Sequence, residues 1–392
     1  MRYDFDKIVN RFNTESVKWN LANEKYGNKD VIPMWVADMD FEVAKPISEA
    51  IRKRASHDIY GYTLKGESYY EAVINWMDKH HNWQIKKDWI NYTPGIVPAL
   101  NYLIRTYANS GDEIIIQTPA YHPFYSSVKN NGCIIVENPL LYENGNYKMD
   151  FNDLKKKITK RTKIFMLCNP HNPVGRVWSK DELIKLGQIC IENNILVISD
   201  EIHFDLIYNG IQHTVFASIS EEFAQNSVIC TAPSKTFNIA GLQVSNIIIP
   251  NDKLRNLYSI TLENNAIQGI NSFASVALEA AYNEGEEWLQ QLLQYLEENL
   301  NFLMKYFEER IPKIKVIKPE GTYLVWIDCS ELNMSPNELE EFFARKVKVR
   351  FNDGILFGLE GAKFQRINIA CSRSVLNDAL ERIEREVNNL GL

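Results

Sequence analysis

Thr231-Ala-Pro-Ser-Lys235-Thr-Phe-Asn-Ile-Ala-Gly241-Leu-Gln-Val244 is the stretch on which the reading of this chain turns. A single lysine stands between Ser234 and Thr236, just past the apolar run Val228-Ile229-Cys230, and a second apolar run opens at Val244. An amine at a strand exit can be desolvated, which suits it to form a Schiff base, and its hydroxyl neighbours can bind a phosphate. In isolation a Ser-Lys-Thr triplet is most often a solvated loop. Other short motifs tip that balance.

Working outward, apolar runs at Glu113–Gln117, Cys133–Glu137, Lys163–Leu167, Ile195–Ser199, Val228–Thr231 and Val244–Ile249 alternate with helical stretches such as Asp181–Glu192 and Asp252–Glu263. This texture predicts an α/β fold, a mostly parallel sheet covered by helices on both faces. Ser179-Lys-Asp-Glu182 is a capping box, and Asn144-Gly145 and Asn209-Gly210 are turn signals. After about residue 285 the texture changes. A long helix near Glu286–Arg310 precedes runs at Thr322–Asp328, Val347–Phe351 and Arg366–Ile369, a capped helix from Ser335-Pro336-Asn-Glu338, and a last helix over Val375–Asn389. The expected division is a segment 1–50 that joins the smaller α+β block 285–392, with a large domain over 51–284.

The chain has 392 residues, 45% of them hydrophobic, a net charge of −7 and no long basic run. That argues against a surface tracking nucleic-acid phosphates or an anionic membrane. The first residues, Met1-Arg-Tyr-Asp-Phe-Asp-Lys7, carry charges where a signal peptide needs an apolar stretch, and no run is long enough to span a bilayer. Cys133, Cys168, Cys190, Cys230, Cys329 and Cys371 lack framework spacing and read as buried free thiols in a reducing compartment. A cytoplasmic location is expected. The seven histidines show no zinc spacing, and the adjacent pair His80-His81 falls on a helix expected to be exposed.

Four further motifs carry possible chemistry. Asn169-Pro-His-Asn172-Pro-Val-Gly175 ends an apolar strand and holds Asn172 at a carboxyl edge of the sheet, where it could donate to a phenolate; a plain turn is the alternative. Ile198-Ser199-Asp200-Glu201-Ile202-His203 puts an acid at the end of a buried strand. Such a carboxylate needs a cation, and a protonated pyridine nitrogen is one; a solvent-facing helix cap is the alternative. Tyr92-Thr-Pro-Gly95-Ile-Val precedes an apolar helix whose free N–H groups could hold a phosphate, and Tyr121 in Thr118-Pro-Ala-Tyr121 could stack on a flat ring or fill the core. Arg366 heads the strand Arg366-Ile-Asn-Ile-Ala-Cys371, where it could grip a substrate carboxylate or form a structural ion pair.

In order along the chain, Asn13-Thr-Glu-Ser-Val-Lys-Trp19, Met34-Trp-Val-Ala-Asp-Met-Asp-Phe41, Tyr60-Gly-Tyr62, Thr118–Tyr121, Asn169–Trp178, Ser199–His203, Ser234–Asn238 and Arg366–Arg373 resemble fold-type I pyridoxal 5'-phosphate (PLP) enzymes of the class I/II aminotransferase superfamily. Within it the chain is similar to the cystathionine β-lyases of the MalY/PatB type. The resemblance implies the aspartate aminotransferase fold, with a mostly parallel seven-stranded sheet. It makes Lys235 the cofactor-binding lysine, Asp200 the partner of the pyridine nitrogen and Asn172 the partner of the ring oxygen. His203 stands where transaminases place a tyrosine, and Tyr121 stacks on the ring. Gly95, Ile96, Val97 and Ser234 hold the phosphate, and Arg366 holds the substrate carboxylate. It also implies a homodimer, with Tyr62 reaching the neighbouring subunit's phosphate. Gln243 departs from the transaminase pattern, which has a phosphate-binding arginine eight residues after the lysine. On the residues alone, β-elimination from a cysteine thioether and transamination of an amino acid remain open together, as does a PLP-fold binding or regulatory protein without useful catalysis.

Overall fold

The computed structural model describes residues 2–26 and 30–391, with the backbone alone for 22–26; Met1 of the charged N-terminus lies outside them. Seven strands form the central sheet: β1 (Ile90–Thr93), β2 (Glu113–Thr118), β3 (Ile134–Pro139), β4 (Thr162–Cys168), β5 (Leu196–Asp200), β6 (Ser227–Thr231) and β7 (Ser245–Ile248). Their order is β1-β7-β6-β5-β4-β2-β3. Only β7 runs against its neighbours; every other pairing in the sheet is parallel. The inner strands are buried along their length except at Lys163 of β4, which is why they read as largely apolar runs rather than as alternating ones. β1 was not among the expected strands. It is a four-residue edge strand, Ile-Asn-Tyr-Thr, too short to show a period.

Two apolar layers cover the sheet. One face packs against the helices Ile96–Tyr107, His122–Asn130 and Asp252–Asn264 through Leu100, Leu103, Phe124, Val128, Tyr258 and Leu262. The other packs against Glu67–His81, Lys180–Glu192 and Ser272–Glu284, and this second layer is continuous with the core of the C-terminal block. That block contains the helix Glu286–Arg310, an antiparallel sheet ordered β8 (Lys315–Ile317), β9 (Leu324–Asp328), β11 (Phe364–Asn368), β10 (Asn352–Asp353), and the helix Arg373–Asn388. Capping boxes open the helices at Ser179 and Ser335 as the sequence predicts.

Residues 32–41 lie as a strap between the two blocks. Ile32 and Pro33 pair in parallel with Val349 and Arg350, and the Asn368 N–H donates to the Met34 carbonyl at 2.9 Å. On the other side, Asn238 Nδ2 donates to the carbonyls of Met39 and Phe41, both at 3.0 Å. The helix Lys45–Ala55 then runs unbroken through residue 50.

Two expectations need correction. The strand expected over Val347–Phe351 shrinks to Val349–Arg350, because Phe342–Val347 wind into a π-helix that ends on Lys348 at φ 60°. His81 is not on an exposed face: its ring stacks on Phe204 at 4.0 Å and its Nε2 lies 2.8 Å from Asp205 Oδ1. All six cysteines are buried free thiols. Among the described residues no helix is long and apolar enough to cross a membrane, and no side-chain cluster could hold a metal ion.

Candidate active site

In a parallel sheet every strand delivers its carboxyl end to the same edge, which is where open α/β sheets bind ligands. Here Cys168 ends β4 and pairs in register with Asp200, which ends β5 and pairs with Cys230 of β6. The turn Pro233–Thr236 follows β6 and carries Lys235. Around this edge lies a cavity of about 200 Å³ lined by Gly95, Ile96, Val97, Tyr121, Asn172, Asp200, His203, Ser234 and Lys235, together with Ala37, Cys168, Gln243 and others. Nine of the eleven residues singled out from the sequence thus share one cavity. The exceptions are Arg366, one layer behind it, and Tyr62, whose side chain is fully exposed in a single chain.

The electrostatics follow from burial. The Asp200 carboxyl is 3% exposed and accepts only a long bond, 3.2 Å, from the Ile202 N–H. Burial pushes its pKa up to about 7, against that bond and the attraction of Lys235. Burial likewise lowers the Lys235 amine to about 8, opposed by Asp38 and Asp200 and reinforced by Arg366. Its Nζ donates to the Ala37 carbonyl at 2.6 Å. Burial brings His203 down to about 3, so the ring is neutral, and its buried Nδ1 has no hydrogen-bond partner.

Gly95, with φ 149°, precedes the helix Ile96–Tyr107, so the N–H groups of Ile96 and Val97, two residues that line the cavity, have no intrahelical acceptor. Among the described residues Lys235 is the only lysine or arginine lining the cavity. Gln243, in the left-handed region at φ 57°, lines it too, and its carbonyl accepts from Tyr92 Oη at 3.2 Å.

Arg366 is 4% exposed and, among the described residues, its charged neighbours include no carboxylate, which removes the structural ion pair as its explanation. Its Nη1 donates to Asn172 Oδ1 at 2.9 Å, and its Nη2 to the Trp35 carbonyl at 3.0 Å and to Asn352 Oδ1 at 2.8 Å. Nε is buried without a partner. A desolvated guanidinium with a spare donor is what an incoming carboxylate requires.

Sequence reading missed Ala37 and Tyr323. The Tyr323 hydroxyl donates to the Ala37 carbonyl at 3.0 Å, so that one oxygen receives both the phenol and the lysine. The apolar run Val31–Ala37 was visible, but nothing local tied it to a residue 198 positions away.

The donor set fits one kind of group: a flat aldehyde with a basic ring nitrogen and a phosphate. It offers an amine of reduced basicity, a buried carboxyl with no ion pair at contact distance among the described residues, and a helix N-terminus beside Ser234. The model for aminotransferase class I and II matches residues 29–383, and the chain belongs to that family. Its relatives are more specific. Cystathionine beta-lyase PatB of Bacillus subtilis (strain 168) is 44% identical over 382 residues, covering 97% of this chain and 99% of that protein. The PLP-containing crystal structure of cystalysin from Treponema denticola superposes with a TM-score of 0.97 at 40% identity, over the full length of both chains. A PLP-bound protein from Clostridium difficile 630, provisionally named an aminotransferase, superposes with a TM-score of 0.97 at 50% identity, covering 99% of this chain and all of that one.

Proposed function

We propose that this protein is a PLP-dependent carbon–sulfur β-lyase that converts L-cystathionine or a related cysteine thioether to a thiol, pyruvate and ammonia. The observation that carries the cofactor is the buried Asp200 carboxyl, with no ion pair at contact distance among the described residues, in the cavity that also holds the desolvated Lys235 amine. The choice of reaction rests on relatives named as lyases, PatB among them.

Lys235 would hold the cofactor's aldehyde carbon, Asp200 its ring nitrogen and Asn172 its ring oxygen, with His203 and Tyr121 against the ring. The N–H groups of Gly95, Ile96 and Val97 and the Ser234 hydroxyl would hold the phosphate. When bound, PLP supplies an electron sink for the pair released at the substrate's Cα. The chain's own residues do the rest. Arg366 grips the α-carboxylate and so fixes which Cα bond faces Lys235. Lys235, with its proton affinity lowered by burial, takes the Cα proton near neutral pH. Asp200 keeps a proton on the ring nitrogen. His203, neutral and without a charge of its own, leaves that balance undisturbed.

The same residues would serve transamination, the second reading, which the name of the Clostridium difficile protein favours. The two differ in product. A pyruvate-release assay over a panel of cysteine thioethers, run beside keto-acid-dependent amino exchange, tests the choice. Amino transfer with little pyruvate from any thioether would overturn the lyase reading.

The proposed assembly is a cytoplasmic homodimer with the active site at the subunit boundary. Ile59, Tyr60, Tyr62 and Leu64 form an exposed, largely apolar run that a second subunit would cover, bringing Tyr62 to the neighbour's phosphate. The proposed division remains 1–50, 51–284 and 285–392.

A further inference from the structure

We infer that Asp205 is a positioning residue of this site, acting through Thr236 to set where the Lys235 turn stands relative to Asp200. The inference rests on the reading of Lys235 as the cofactor-binding amine. Asp205 itself does not line the cavity that holds Lys235.

The Asp205 side chain is 2% exposed and gathers three donors. Oδ2 accepts from Thr236 Oγ1 at 2.7 Å. Oδ1 accepts from Trp76 Nε1 at 3.0 Å and lies 2.8 Å from His81 Nε2. Lys235 and Thr236 are neighbours on one helical turn, so their side chains leave it about 100° apart. The lysine enters the cavity and the threonine, fully buried, points behind it. Asp205 lies five residues after Asp200, on the loop that also carries His203. Beyond the ladder that pairs Asp200 with Cys230, this side-chain hydrogen bond joins the turn bearing the amine to the loop bearing the histidine, past the ends of both strands.

The far end of this bond is rigid. Trp76 and His81 sit on the helix Glu67–His81, and the Trp76 ring stacks on Tyr282 at 4.9 Å and meets Phe237 edge-on at 5.6 Å. On the other side of Lys235, Asn238 is bound to the carbonyls of Met39 and Phe41. The lysine is thus suspended between two side-chain anchors, and Thr236–Asp205 fixes the turn on the side of the Asp200 loop where the strand ladder has ended. A carboxylate suits the post because it accepts from three donors at once without presenting a donor of its own, which an amide could not do.

The test compares Thr236→Val, which keeps the shape and removes the donor, with Thr236→Ser, which keeps the donor. Both are measured as PLP-loaded holoenzymes for the pH midpoint of the visible absorbance, for kcat and KM with a cysteine thioether, and for Tm. Displacing a reacting group by about 1 Å costs on the order of 100-fold, so Thr236→Val should lower kcat about 10- to 100-fold, with KM within about twofold. It should also move the absorbance midpoint, and Thr236→Ser should restore both. A Thr236→Val enzyme with wild-type kcat and midpoint and only a lower Tm overturns the inference, since a purely structural tie would do that. If Thr236→Val does not fold, Asp205→Asn is read by the same measurements and the same criteria. Failure of the underlying site reading looks different: wild type would then take up no PLP, or Lys235→Ala would keep the band.

Discussion

Arg366 and Asn172, 194 residues apart, are joined by a 2.9 Å hydrogen bond from the guanidinium to the amide oxygen. It ties the C-terminal sheet to the loop after β4. Arg366 is thereby held at the site by side-chain and backbone oxygens, with no carboxylate among the described residues to neutralise it.

Arg366→Ala should therefore raise KM with a smaller effect on kcat. Truncating one partner of a buried, charged pair costs about 2–5 kcal/mol. Arg366→Lys should recover only part of the loss, since an ammonium cannot reproduce the planar fork. Steady-state kinetics with one thioether decide it, and an unchanged KM would remove Arg366 from substrate binding.

Lys235→Ala should abolish the visible absorbance of bound PLP and any measurable turnover. Borohydride reduction followed by peptide mapping supplies an independent reading: in the wild type the label should sit on Lys235. Label on another lysine would displace the assignment.

Asp200→Asn should show its effect through pH. In the cofactor-free protein burial raises the carboxyl from 3.8 to about 7, so the folded chain binds more protons than the unfolded one between those values. The wild type consequently loses stability from this group as pH rises through that window. The asparagine variant, with nothing to ionise, should gain stability relative to wild type from pH 4 to 7 and hold that gain above it. Thermal unfolding of both cofactor-free proteins across pH checks the sign. Bound PLP should reverse the preference, because the ring nitrogen then supplies the missing cation.

Gly187 lies on the helix Lys180–Glu192, where an added Cβ would stand 1.9 Å from Phe223 Cε1. Phe223 is buried, so its ring has to shift within a packed layer to admit the methyl, and Gly187→Ala should cost about 1–3 kcal/mol through overpacking. Calorimetry should show a lower Tm with the absorbance of bound PLP intact. A Tm at or above wild type would mean that Phe223 has space to move.

The apolar runs, the two capping boxes and the change of texture near residue 285 were legible because each depends on neighbours in the chain. Strands buried on both faces must be apolar throughout, and an N-cap reaches only three residues. β1 and the strand at Val349 were misread or missed for the complementary reason. At two to four residues they carry no period, and pairing partners far along the chain decide that they exist. The exposure expected for His80-His81 failed likewise, since only packing reveals that His81 turns inward onto Phe204 and Asp205.

The amino-acid sequence by itself determined the kind of sheet, the order of the loops at its carboxyl edge, and that one of those loops bears a lysine and another an acid. The resemblance singled out Asp200 of the two adjacent acids, but only the tertiary structure shows the physical reason. Successive side chains at a strand end point to opposite sides. Asp200 lines the cavity, while Glu201 turns away to accept from Ser199 Oγ at 2.8 Å and the Phe216 N–H at 3.0 Å. Only the tertiary structure decided that the Ala37 carbonyl meets the Lys235 amine and that, among the described residues, no carboxylate meets Arg366. Contacts between residues far apart in the chain follow from how the layers close on one another, and no local pattern of residues encodes that closure.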